Sequence, residues 1–298
     1  MTAMTDVGPV PATRTAEGAP RKPRRERGGF ALALAAWVIG FLFVLPVLWM
    51  VLTSFHSEAD AATNPPSLAA PLTLEGYRNF FGAGGGASPW PSLLNSLTAS
   101  VISTILVLVL AIPAAYALAI RPVRKWSDVM FFFLSTKMLP MVAGILPLYL
   151  FTTKVINMPD NVIVLILIYT AMNLPIAVWM MRSFLVEVPP AIIEAASIDG
   201  ASTFRILTRI VAPIAMPGVA ATSLICFIFA WNEQLYAKVL TSVAAQTGPV
   251  YVNTLIQTEH AYLAELAAGA TLISLPVLIA GFAAQDKLVQ GLSLGAVK

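Results

Sequence analysis

Six stretches of this chain run for about twenty residues or more with scarcely a charge, and that pattern restricts the fold more than any other feature. They cover 30–52, 93–119, 129–151, 161–181, 210–232 and 265–284. Crossing the hydrocarbon of a bilayer takes about 20 apolar residues in helical form. The rest of the chain agrees: charged residues are 11% and hydrophobic ones 58% of 298 residues, where a soluble domain carries roughly 25% charge. A soluble enzyme lacks the polar surface it would need, and the apolar content excludes disorder, collagen and coiled coil. The expectation is an all-α membrane protein of six transmembrane helices. Prolines 46, 113, 140, 147, 175, 217 and 276 fall inside these runs. Membrane helices tolerate them where neighbours satisfy the freed carbonyls.

Positive charge sets the orientation. With the N-terminus cytoplasmic, 14 of the 18 Lys and Arg fall on the cytoplasmic side and Arg78, Lys154 and Lys238 on the outside, with Lys137 inside the third run. That asymmetry follows the positive-inside rule and puts both termini in the cytoplasm. The net charge of +3 then reflects topology, not nucleic-acid binding. Residues 1–29 read as a disordered basic tail and 30–298 as one transmembrane domain. The first run is too long for a cleaved signal core. Cys226 is the only cysteine and there are two histidines, so neither a disulfide nor a zinc cluster is expected. Cys226 itself reads as a small core hydrophobe. Glycines 82 and 84–86 lack the Lys-Ser/Thr of a phosphate loop and read as a flexible connection. The outer segment 233–263, with Glu259 and His260, is long enough to touch an external partner.

The most informative segment lies between the fourth and fifth runs, at 189–213. It is too polar to span and too apolar for a plain linker. Pro189 and Pro190 suit a helix start; Ile192, Ile193, Ala196 and Ile198 follow. Gly200 can end that helix in a left-handed conformation. Ser202 can cap a second helix carrying Phe204, Leu207 and Ile210 with Arg205 and Arg209. Two readings follow from the pattern: an amphipathic helix resting on lipid, or a helix that fits a groove on a cytoplasmic partner.

Here the sequence resembles a known family. Glu194-Ala195-Ala196, three residues, Gly200, nine residues, then Ile210 and Pro213 is similar to the EAA loop of ABC-importer permeases, with Ala212 where leucine is usual. Asp199-Gly200-Ala201-Ser202 is similar to the form in sugar-importing members. The likeness extends to Thr73-Leu74-Glu75 with Tyr77 and Phe80, Asn95-Ser96, Ala114 to Ala117, Trp231-Asn232-Glu233, and the tail Gly291-Leu292 with Gly295 to Lys298. Residues Ser135 to Pro140 and that tail most resemble permeases for polyols such as sorbitol and mannitol.

The resemblance implies a type I importer permease fold with a cytoplasmic coupling helix, in a bacterial cytoplasmic (inner) membrane. It implies four kinds of partner: a second homologous permease, two ATPase subunits, an extracytoplasmic substrate-binding protein and membrane lipid. No nucleic acid and no metal are expected. The chain has no G-x-x-x-x-G-K-[ST] loop, so ATP and Mg belong on the ATPase subunits and this chain is not an enzyme. Glu194, Ala195, Ala196, Asp199, Gly200 and Ala201 would form the ATPase contact, with Glu194 supplying a charge-assisted bond. The C-terminal tail would add a contact or fray. For the solute, a polyol or small sugar, the path candidates are Lys137, Asn173, Trp179, Asn232 and Glu233. Lys137 either lines the path or snorkels to the interface; Glu233 reads more as an interface charge and Trp179 more as packing. A disaccharide such as trehalose or maltose is the alternative solute, and a stand-alone secondary transporter the alternative class. A membrane enzyme is disfavoured by the lack of H-E-x-x-H and G-x-S-x-G motifs.

Overall fold

The computed structural model describes residues 29–296 except 64–66, 68, 84, 121–122 and 257–261, and within its last helix the side chains only as far as Gln285. The basic tail, Glu259, His260, Val297 and Lys298 therefore lie outside the described residues. Every regular element among the described residues is helical. In order they are α1 (Gly29–Thr53), α2 (Glu58–Ala61), α3 (Glu75–Phe80), α4 (Trp90–Ile120), α5 (Trp126–Thr136), α6 (Met141–Leu150), α7 (Val162–Leu185), α8 (Pro190–Ile198), α9 (Thr203–Ile206), α10 (Ala212–Ile214), α11 (Met216–Trp231), α12 (Leu235–Leu240), α13 (Gly248–Thr254) and α14 (Leu263–Ala296). Wider π-type turns follow α6 at Phe151–Val155 and α9 at Leu207–Val211.

The chain divides into two compact units, 1–47 and 48–298. The described part of the first is the apolar start of α1, where Phe30, Trp37, Phe41 and Phe43 are exposed.

In the second unit α4 and α7 pack against each other most extensively. The cause is visible in α4: Ser92, Ser96, Ala99, Ser100, Ser103, Val107, Ala111 and Ala115 are buried at spacings of three and four. Such a stripe of small residues lets helix backbones approach closely where lipid removes the hydrophobic drive between helices. From α7, Leu165, Tyr169, Asn173, Ala177 and Met181 recur every fourth residue and are all buried. Helix α11 closes the core with Cys226, Ala230 and Trp231. The Trp231 indole N–H donates to the Ile273 carbonyl at 3.0 Å and ties α11 to α14.

Four described helices are long and apolar enough to cross a membrane: α1, α4, α7 and the first part of α14. The runs expected as continuous spans at 129–151 and 210–232 are each broken. The third bends by 81° between α5 and α6, and the fifth by 80° between α10 and α11. Pro140 explains the first break. It has no N–H to donate, and it restricts Leu139 before it. The N–H groups of Lys137 and Met138 fall back on the carbonyls three residues earlier, and Pro140 leaves the helix with ψ 124°. At the second break Ala215 (ψ 7°) precedes a helix that restarts with Pro217 in its first turn.

Candidate functional site

Two regions of the second unit merit description as sites. The first is the segment between α7 and α11. Pro190 occupies the first turn of α8. The helix ends where the Ala201 N–H donates to the Ala196 carbonyl and the Gly200 N–H to the Ser197 carbonyl, both near 3 Å, with Gly200 at φ +76°. These two bonds are those of a glycine-terminated helix. The Ser202 hydroxyl then accepts the Arg205 N–H at 3.3 Å and caps α9. The turn residues expected from sequence thus hold their expected posts.

The two faces of this helical pair differ. Ala196 and Ile206 are buried with Ala115, Tyr116, Met181 and Leu185, so α8 and α9 are seated on the ends of α4 and α7. Ala196 therefore serves this seat, while Ala195 is exposed beside Glu194, Asp199 and Gly200. Ile198 is 86% exposed and Phe204 76%. Glu194 and Ile198, four apart, share a helix face. A carboxylate thus sits next to apolar surface that no described residue covers, on a base fixed by buried contacts. Beside this base, the Arg182 guanidinium lies 3.6 Å from the Trp126 ring centroid and donates to the Leu118 carbonyl. That contact gathers α4, α5 and α7 at the end of the bundle that bears α8.

The second region is a cavity of about 590 Å³ at the break between α5 and α6. Thr136, Lys137, Met141, Gly144, Met172 and Tyr236 are among its walls. Lys137 closes the C-terminal end of α5 and is exposed. It sits at the break itself, not within a continuous span. Its post follows from Pro140, which ends α5 just where the only cation of the run stands. Among the described residues no carboxylate lines the cavity.

The other path candidates lie off these walls. Asn173 is fully buried and donates to the Cys226 carbonyl at 3.4 Å, joining α7 to α11. Trp179 is half-exposed. Asn232 donates to Ile228 within its own helix. Glu233 is buried, and its carboxylate accepts the N–H groups of Tyr236 (2.8 Å) and Ala237 (3.2 Å). It caps α12, a short helix within the segment 233–263 expected as an outer loop.

Two residues without a sequence signal complete the region. Tyr236 packs with Val164 and Leu240 against Leu148 and Met172. Asp160, in the turn before α7, accepts the N–H groups of Ser242, Val243, Ala244 and Ala245 and the Ser242 hydroxyl, all at 2.7–3.0 Å. Partial burial pushes the Asp160 carboxyl upward, but these donors prevail and hold it well below the usual carboxylate range. At the same end, Asn95 donates to the Ala244 and Gln246 carbonyls, and Ser96 accepts the Gly248 N–H.

With this geometry in view, comparison with known proteins gives consistent results. Residues 108–294 match the family described as binding-protein-dependent transport system inner membrane component. A probable ABC transporter permease protein of Sinorhizobium fredii is 35% identical over 261 residues, covering 88% of this chain and 92% of that one. The trehalose transport system permease protein SugB of Mycobacterium tuberculosis is 30% identical over 275 residues, covering 91% and 98%. Among solved structures, a chain of a bacterial ABC transporter involved in the import of the acidic polysaccharide alginate superposes with a TM-score of 0.70. The two are 22% identical, and the match covers 89% of this chain and 99% of that one.

Proposed function

This chain belongs to the family of binding-protein-dependent transport system inner membrane components, and from that premise we propose which solute it passes and how it is driven. It is a multi-pass permease subunit of an ABC importer in the inner membrane and has no catalytic role of its own. The importer carries carbohydrate, as the trehalose and trehalose/maltose permeases among its relatives do. Within that class the narrower reading is a polyol or small sugar, supported by the run Ser135 to Pro140. A disaccharide is the second reading, favoured by the names of those relatives. The cavity at Lys137, about 590 Å³, has room for either.

The carrying observation is the exposed face of α8 and α9. Glu194, Ala195, Ile198 and Phe204 stand on a base that is buried in the bundle. Such a face, seated on buried contacts and exposed among the described residues, suits a helix that enters a groove on a partner. ATP and Mg would be held by two ATPase subunits, which pull on this helix as they close. A second, homologous permease would supply the other half of the path, and an extracytoplasmic binding protein would deliver the solute. Each bent pair, α5 with α6 and α10 with α11, would cross as one span, giving six crossings with both termini cytoplasmic. The end that bears α8 is then cytoplasmic, and the end that bears Asp160 is external.

The test is uptake and ATP hydrolysis in the reconstituted complex. Gly200→Trp and Ile198→Asp are expected to lower uptake at least tenfold while the subunit still inserts and the complex loses its binding-protein-stimulated hydrolysis. Normal transport by both variants would remove the docking assignment. A panel of neutral polyols, monosaccharides and disaccharides decides the solute.

A further inference from the structure

The cavity at Lys137 has a distinctive neighbour. Helix α12 is only six residues long, and its packed residues Tyr236 and Leu240 lie against Val164, near the N-terminal end of α7. The cavity wall formed by Ala171, Met172 and Pro175 is about two turns further along α7, or ~12 Å at 1.5 Å per residue. Tyr236 bridges the two levels: it belongs to the packed cluster and to the cavity wall. Its hydroxyl stands 3.5 Å from the Met141 carbonyl, the limit of a hydrogen bond, so that contact holds it weakly.

What fixes α12 is a carboxylate at each end. Glu233 takes two N–H groups of the first turn of the helix, from Tyr236 and Ala237. Asp160 takes four consecutive N–H groups and a hydroxyl from Ser242 to Ala245, immediately beyond the other end. Glu233 is local, whereas Asp160 reaches across more than eighty residues from the turn before α7. The segment that Asp160 grips projects Val243, which is 83% exposed. Contact made at that surface would act directly on the grip.

We propose that α12 is a gate that closes this cavity toward the Asp160 end of the bundle, with Tyr236 as its plug and Asp160 as the positioning residue that keeps it shut. The proposal rests on the reading of the chain as an importer permease, in which that end is external and must open to receive solute. Two-state elements of this kind move when a partner binds one arrangement better than the other. A binding protein seated against the loop at Val243 is placed to make that difference. Asp160 acts through the loop and touches no solute.

The experiment uses the assembled complex, without ATP, in nanodiscs, with Cys226→Ala to remove the native thiol. Gly144→Cys is the reporter: a Cβ there has 3.8 Å to the Tyr236 hydroxyl, so the side chain fits beneath the plug. A bulky hydrophilic maleimide measures access. In the otherwise unmodified complex, labelling is expected to be slow. Asp160→Ala should raise the rate at least tenfold, with Asp160→Asn between the two, because asparagine keeps one acceptor oxygen and tolerates the left-handed backbone of Asp160 (φ 50°). A cysteine in place of Val188, which is buried in the base of α8 at the other end, should stay slow to label in all of them, which a general loosening would not permit. Should Asp160→Ala not assemble, Asp160→Asn and Tyr236→Ala carry the test. No acceleration in any assembled variant overturns the gate, as does fast labelling of the complex with both carboxylates intact. Uptake by the unmodified complex is measured in parallel. Its absence for every carbohydrate would count against the importer reading, and labelling alone decides the gate.

Discussion

At the scale of the residue, glycines separate two kinds of constraint. Gly200 has nothing within 4 Å of where a Cβ would stand, yet its φ is +76°. Gly200→Ala should cost about 1 kcal/mol through backbone strain alone, so the protein folds but the turn after α8 loosens. Gly76 is the reverse case. A Cβ there would lie 2.5 Å from the Ala264 carbonyl oxygen, a backbone atom that cannot step aside. Gly76→Ala should therefore destabilise by about 2 kcal/mol or more, as overpacking does. Thermal unfolding of the purified protein in detergent should show a larger drop for Gly76→Ala than for Gly200→Ala. Trp231→Phe would remove the indole bond to the Ile273 carbonyl that ties α11 to α14. The expected loss is about 0.5–1.5 kcal/mol, the net worth of one such bond, read by the same measurement. Asp160 gives a pH prediction with a fixed sign. Its carboxyl is depressed below the ordinary value of 3.8. A depressed carboxyl contributes stability above its unfolded value and loses it only as pH falls through the lower, folded one. Amide-exchange protection at Ser242 to Ala245 should therefore persist at about pH 3.5, where an ordinary Asp is largely protonated. Asp160→Asn should weaken that protection at every pH.

At the scale of the element, legibility followed the range of the interaction. The start of α8 at Pro190, its end at Gly200 and the cap at Ser202 are local chemistry, and sequence sufficed for each. The long runs of α1, α4 and α7 were plain for the same reason. The breaks were not. Eight prolines, Pro213 among them, lie in the apolar runs, and most, such as Pro113 and Pro175, sit inside helices that continue through them. What distinguishes Pro140 is that the chain leaves helical geometry there, a difference from Pro113 and Pro175 that the apolar sequence around it does not mark. Pro140→Ala should let α5 run toward α6 and reduce the 81° bend. Paired spin labels at the exposed positions Phe131 and Leu146 should then move apart. Helices α12 and α13 were invisible because six or seven residues show no helical period. The role of Asp160 was invisible because its partners lie more than eighty positions away. Asn173 was ambiguous for a related cause: an amide within a span can equally face a path or a neighbouring helix, and here its amide nitrogen bonds the Cys226 carbonyl.

At the scale of the whole molecule, the division of labour follows the two ends of the bundle. Arg182, Arg205 and Arg209 stand with α8 at one end, and Asp160, Asn95 and the loop at Val243 at the other. With Cys226→Ala as background, an impermeant thiol reagent added outside intact cells should label Val243→Cys and spare Ile198→Cys. Labelling of Ile198→Cys from outside would reverse the orientation proposed from the positive charges.

The close pairing of α4 with α7 through its stripe of serines and alanines has a consequence for biosynthesis. Both helices are complete once residue 185 has been made, and α11 begins only at Met216. At about 5–20 residues per second, the ribosome takes seconds to cover the interval. The pair with the broadest contact can thus come together while α11 and α14 are still being translated. Later helices then add to a surface already in place, and a serine or alanine enlarged in α4 should show itself first as slow maturation of the nascent subunit.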